Sequence, residues 1–113
     1  MKIDFNELRT ATIPHLNGGE GSVTAAMFMD GQGKIMKSIL PPSASIGLHS
    51  HPASYELNYV IGGTGKAICD NKEESLAEGV CHYCPKGSTH SIINTGADDL
   101  ILLTVVPEFG EKL

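Results

Sequence analysis

His49-Ser50-His51-Pro52-Ala53-Ser54-Tyr55-Glu56 is the stretch that decides how this chain is read. Side chains alternate across a strand, so His49 and His51 share a face and both rings can reach one point. Glu56 has the wrong parity to join them on an unbroken strand. Pro52 resolves the conflict, because it lacks a ladder donor and a bend over Pro52-Ala53-Ser54 can return Glu56 to the inner face. A further donor, His90, has to come from a remote strand, whose start is fixed by the rigid turn Pro85-Lys86-Gly87. Three imidazoles and a carboxylate form a metal-ligand set. They suit one divalent transition metal (Fe, Mn, Ni, Cu or Zn) better than Mg or Ca, which prefer all-oxygen shells. On a six-coordinate ion about two positions remain open. Open positions separate a catalytic or ligand-sensing centre from a sealed structural one.

Outward from this stretch the chain breaks into short runs, each bounded by Gly, Pro, Asn or Asp. They cover residues 23–29, 34–40, 47–51, 56–61, 65–70, 73–76, 80–84, 90–94 and 100–106. Nothing between Ser22 and Pro107 sustains a helical period, so the class is all-β. Many short strands at this spacing mean a sandwich or barrel, and a jelly roll closes its edges in so few residues. With 113 residues the chain is one domain, large enough for a core without staples. Residues 22–113 are read as the barrel, and residues 1–21 as an N-terminal arm lying over it or over a partner subunit. Within the arm, Asp4 to Arg9 can form one helical turn with Asp4 or Asn6 as cap. Pro14 ends that possibility, and Asn17-Gly18-Gly19-Glu20-Gly21 reads as a loop.

Charge removes some function classes. The net charge is −5 and Arg9 is the only arginine, so no basic patch is available to displace counterions from a nucleic acid. The longest apolar run, Leu100 to Val106, is too short to cross a bilayer. Met1-Lys2-Ile3-Asp4 opens no apolar signal region, and a cytoplasmic location is expected. Cys69, Cys81 and Cys84 are then reduced thiols rather than a disulfide framework. In Cys81-His82-Tyr83-Cys84 the two cysteines face opposite sides of a strand, so one packs inward and the other faces out. Gly62-Gly63-Thr64-Gly65 is a hairpin turn, because no helix follows it to make a phosphate cradle. Met27, Met29 and Met36 read as core filling, and His15 and His82 as structural. Tyr55, Tyr59 and Tyr83 are candidates for a pocket wall. Asn58, which shares the face of Glu56, is the candidate for supporting the metal ligands.

The two blocks are His49, His51, Glu56 and Gly63, then Gly79, Pro85, Gly87, His90 and Asn94. They resemble the paired signature motifs of the cupin superfamily, and the stretch from about Asn17 to Val106 is similar to small single-domain bacterial cupins. The resemblance implies a cupin-type jelly-roll barrel with a metal held by His49, His51, Glu56 and His90. It implies a small metalloenzyme acting on a sugar, keto acid or diketone, or else a non-catalytic module binding a small ligand. If a carboxylate acts as base, Glu56 moving off the metal is the candidate. Two positions depart from the pattern: Ser43 stands where a glycine is usual, with Gly47 the expected substitute, and Val80 stands where aspartate is common. Relatives that take phosphate or carboxylate substrates commonly clamp them with arginine. Arg9 lies outside the predicted strands, so those substrates are disfavoured unless Lys34, Lys37 or Lys66 serves. Apolar strand faces such as Leu100-Ile101-Leu102-Leu103 predict a homodimer.

Overall fold

The computed structural model describes residues 1–107, and its regular elements are all strands apart from one short 3-10 turn. They are β1 (Thr10–Pro14), β2 (Ser22–Asp30), β3 (Gly33–Leu40), β4 (Ser45–Ser50) and β5 (Glu56–Gly62), then β6 (Thr64–Cys69), β7 (Lys72–Ala77), β8 (Cys81–Cys84), β9 (Thr89–Asn94) and β10 (Leu100–Pro107). They form a 6-stranded sheet in the order β1-β2-β3-β10-β5-β8 and a 4-stranded sheet in the order β4-β9-β6-β7. Every pairing is antiparallel. This is the jelly-roll architecture. The barrel boundary expected at Leu113 lies outside the described residues.

Period-two burial fixes each strand's register and divides the interior into two zones. On β5, Glu56, Asn58 and Val60 are buried while Tyr59 and Ile61 are exposed. Along β10 the inward residues are Leu100, Leu102 and then Thr104, and along β9 they are His90, Ile92 and Asn94. The apolar members collect with Val23, Leu40, Ile46, Ala67 and Leu76 into one core. Each fully buried leucine there contributes about 1.5–3 kcal/mol relative to exposure. The polar members (Glu56, Asn58, His82, His90 and Thr104) occupy the other stretch of the same strands and are also buried. Strands β5, β9 and β10 therefore each contribute to both the apolar core and the polar cluster.

The arm differs from its expected form. Asp4 does cap a single turn, accepting from the Asn6 amide through Oδ1 (2.9 Å) and from the Glu7 amide through its carbonyl (3.0 Å). No helix grows from it. Thr10–Pro14 instead pairs with Ser22–Ala26 of β2 and adds an edge strand to the larger sheet. The Asn17–Gly21 loop contains a 3-10 turn, Leu16–Gly18, that packs on β4.

The usual glycine position also resolves differently. Ser43 itself takes a left-handed backbone with φ 72°, a conformation that costs a non-glycine residue about 1–3 kcal/mol. Gly47 does not adopt positive φ. Its missing Cβ serves close approach, because a methyl group there would press into the backbone of Asn17 and Gly19. The hairpin between β6 and β7 turns through Asp70 and Asn71, at φ 49° and 69°. Two successive positive values match the right-handed strand twist of a tight hairpin, and Asn and Asp tolerate them best after glycine.

Candidate metal centre

His49 on β4 stands directly opposite His90 on β9 in the smaller sheet. Glu56 opens β5 in the larger sheet, so the cluster bridges the two layers. His51 follows β4, at the start of the bend over Pro52, Ala53 and Ser54 that carries the chain across to β5. The bend predicted from Pro52 thus returns Glu56 inward, and Glu56 is 6% exposed. The turn before His90 is tied to the same place: the Gly87 amide donates to the His51 carbonyl (3.0 Å), and the Ser88 amide to the Pro85 carbonyl (3.0 Å).

One ligand atom from each of His49, His51, Glu56 and His90 lies within 4.8 Å of all the others. His51 Nε2 is 2.5 Å from Glu56 Oε1, His49 Nε2 is 3.7 Å from the same oxygen, and His90 Nε2 is 3.2 Å from Glu56 Oε2. The ring orientations are set from behind. His49 Nδ1 is 2.7 Å from the Gly47 carbonyl oxygen, an acceptor only, so Nδ1 carries the hydrogen and Nε2 in the neutral ring is a bare lone pair. That Nε2 lies 3.1 Å from His90 Nε2. Behind Glu56, Asn58 Nδ2 donates to Oε2 (2.7 Å), and the Thr104 hydroxyl donates in turn to Asn58 Oδ1. Asn58 was legible as a support from strand parity alone.

Two features test whether these residues fit a cation. His51 Nε2 is buried without a hydrogen-bond partner, close to Glu56 but misaligned with it. Buried polar atoms are rarely left so, since the desolvation goes uncompensated. Lone pairs on neutral His49 and His90 facing each other at 3.1 Å also repel, unless a positive charge lies between them. The four residues fit a divalent ion of the imidazole-preferring class.

The electrostatics agree. In the metal-free protein burial pushes the Glu56 carboxyl up, but hydrogen bonds from His49 and His90, once their Nε2 atoms carry hydrogen, and from Asn58, with the charge of His90, hold it far below the usual carboxylate range. Burial pulls His49 down, yet hydrogen bonds to Glu56 and Gly47 overcome this and leave it raised. For His51 burial wins over the attraction of Glu56, and its ring is lowered.

Above the cluster opens a cavity of about 510 Å³. Its walls are mostly apolar, with Ala11 and Ile13 from β1, Met27 and Met36 from the middle of the larger sheet, and Ile46 from β4. Arg9 and Lys34 also line it. This corrects the sequence reading of Arg9, which reaches the cavity because β1 joins the sheet beside β2. Lys66 is instead 3.5 Å from Glu73 on the far hairpin. The methionines are corrected as well: Met27 is 45% exposed and Met29 66% exposed, so neither fills the core. None of the tyrosines lines the cavity. Tyr59 and Tyr83 are exposed, and Tyr83 packs against Tyr55 at 5.3 Å between ring centroids. Cys81 is exposed and Cys84 buried, as alternation required.

His82, read from the sequence as structural, lies beside the cluster. It is fully buried on β8, with Nε2 2.9 Å from His90 Nδ1. The available signal was parity with Asn58, which it faces across the β5–β8 ladder.

Comparison with known proteins agrees with this fold. A family model for the cupin domain matches residues 36–106. The chain belongs to the cupin family. Among similar proteins is an oxalate-binding protein of Thermotoga maritima, 30% identical over 112 residues, which span 94% of this cupin and 93% of that protein. A crystal structure described as a predicted oxalate decarboxylase from Thermotoga maritima superposes with a TM-score of 0.91 at 29% identity. That match covers 96% of this chain and 100% of the other. An RmlC-like cupin from Shewanella frigidimarina shares the fold, with a TM-score of 0.74 at 18% identity over 98% of this chain and 94% of the other. Among the described residues, no helix is long and apolar enough to cross a membrane.

Proposed function

We propose that this cupin holds one divalent transition metal on His49, His51, Glu56 and His90, and binds a small carboxylate beside it, with oxalate the leading candidate. The observation that carries this reading is the presence of both Arg9 and Lys34 on the wall of the cavity over the ligand cluster. Two cations on one wall call for an anion. A guanidinium matches a carboxylate bidentately, and an ammonium adds a point charge. A neutral sugar or diketone would leave both unpaired. The cavity's volume of about 510 Å³ also admits keto acids larger than oxalate. The names borne by the Thermotoga maritima relatives support the same class.

When bound, the ion would supply Lewis-acid positions that polarise a carboxylate or carbonyl oxygen. This chain's residues do the rest. Arg9 and Lys34 neutralise and orient the anion, and Ile13, Met36 and Ile46 give its cavity an apolar side. Glu56 is assigned as a ligand and not as a base. A carboxylate that accepts from Asn58 Nδ2 (2.7 Å) and faces a cation has little tendency to take a proton.

Titrating metal-loaded protein with oxalate, with acetate and with a neutral sugar tests the reading by calorimetry. Oxalate binds most tightly, and Arg9→Ala weakens it by about tenfold or more, as loss of one charge-assisted contact implies. Equal binding of the neutral sugar, or oxalate affinity indifferent to Arg9→Ala, would contradict the assignment. Release of formate and carbon dioxide in the same mixture would make the protein an enzyme rather than a binding module.

A further inference from the structure

Glu74 on β7 and His82 on β8 form a connection from the protein surface to the back of His90. Glu74 Oε1 lies 2.6 Å from His82 Nδ1, and His82 Nε2 lies 2.9 Å from His90 Nδ1. Both rings are fully buried, while the Glu74 side chain is 51% exposed. The rings stack with centroids 5.1 Å apart and planes inclined by 28°.

Hydrogen counting allows one arrangement for neutral rings. The Glu74 carboxylate only accepts, so His82 Nδ1 carries the hydrogen and donates it. His82 Nε2 is then a bare acceptor, and His90 Nδ1 must donate to it. His90 Nε2 is left with its lone pair, and this is the atom that faces His49 Nε2 and Glu56 Oε2. Each ring has one acceptor and one donor nitrogen, so an order set at the surface is transmitted to the ligand cluster. Glu56 is paired with Cys84 across β5 and β8, and His90 with Cys69 across β6 and β9. The hairpin turn at Asp70-Asn71 brings Glu74 back over that region.

We infer that Glu74 and His82 are positioning residues of the metal centre: they lock His90 in the tautomer that presents Nε2 and raise its donor strength with the carboxylate's charge. This rests on the reading of His90 as a ligand. Sequence spacing does not reveal it, because Glu74 and His82 are brought together by the β6–β7 hairpin and the register of β8. A ligating histidine backed by a carboxylate is the known way to fix ring orientation and basicity, and losing such a partner costs about 10–100-fold in metal affinity. Here a second imidazole is interposed, which moves the carboxylate to the surface.

The experiment compares wild type, Glu74→Gln and Glu74→Ala by zinc competition against a chromophoric chelator. Nitrogen-15 NMR of the histidine rings in metal-free protein and a thermal melt accompany it. Glu74 is half exposed, so its substitution leaves a folded barrel. In wild type His90 carries hydrogen on Nδ1. Glu74→Ala loosens that preference and weakens zinc by about tenfold or more, while the metal-free melting temperature falls by only a few degrees because water enters the space Glu74 leaves at the surface and bonds His82 Nδ1. Glu74→Gln keeps an acceptor without the charge, so it retains the tautomer and falls between the two in affinity. Zinc affinity unchanged in Glu74→Ala, or a loss matched by an equal loss of metal-free stability, overturns the positioning role while leaving the metal site intact. Wild type that takes up no zinc overturns the ligand reading itself, and the relay with it.

Discussion

Gly47→Ala will destabilise the protein by about 3 kcal/mol or more, lowering the melting temperature by roughly 10 °C or more. A methyl group at this position would enter the backbone of Asn17 at its carbonyl oxygen and stand 2.8 Å from both the Asn17 carbonyl carbon and the Gly19 amide nitrogen. Those atoms belong to backbone that cannot swing aside as a side chain would. The Gly18 amide is bonded to the His15 carbonyl (2.9 Å) and the Gly19 amide to the Leu16 carbonyl (3.0 Å), so the turn moves as a unit or not at all. The damage extends to the site, because the Gly47 carbonyl is the acceptor that orients His49. Thermal melts with and without metal measure both effects. A variant melting within about 2 °C of wild type would mean that the turn does not press on β4 as described.

Metal affinity will fall steeply as pH is lowered from about 8 to about 5, since an imidazole must be deprotonated to ligate. The order of the rings follows from their surroundings. His49 is raised despite its burial, through Glu56 and Gly47, so it takes its proton at a higher pH than an ordinary histidine. His51 is lowered by burial and holds out to a lower pH. Glu56 remains charged throughout. Each ring that has become protonated adds up to about tenfold loss of affinity per pH unit. The metal-free fold follows a different sign rule. The raised His49 favours the folded state below the ordinary imidazole range and loses that contribution as pH rises through its raised value. The depressed Glu56 favours it above the ordinary carboxylate range and loses its contribution as pH falls. Chelator competition at stepped pH checks the first statement; an affinity flat over that range would exclude histidine ligation.

The parts of this protein that were legible in its sequence are those governed by period and punctuation. Alternation along 56–61 placed Asn58 beside Glu56, and Pro52 announced the bend that carries Glu56 inward. Both are local, because two or five residues of chain leave the geometry little choice. The edge strand Thr10–Pro14 was not legible, since its pairing with β2 depends on a loop that folds back through positive-φ residues at His15 and Asn17. That single omission misplaced Arg9 and hid the charge of the cavity. His82 escaped for a related reason: its partners, Glu74 and His90, stand eight residues to either side and meet it only when separate strands are assembled. The glycine expected six residues before His49 shows a third limit. Its backbone requirement is real, and Ser43 meets it at a cost.

The most direct test of the account is the metal content of protein purified without added metal or chelator and again after reconstitution, measured by elemental analysis beside a His90→Ala variant. His90 is fully buried, opposite His49 and within 3.2 Å of Glu56, so its removal takes away one of the four ligands while the apolar half of the barrel stays packed. About one divalent transition metal per chain is expected in wild type, and its loss in the variant, which still folds. No metal in either protein after reconstitution, or equal metal in both, would contradict it.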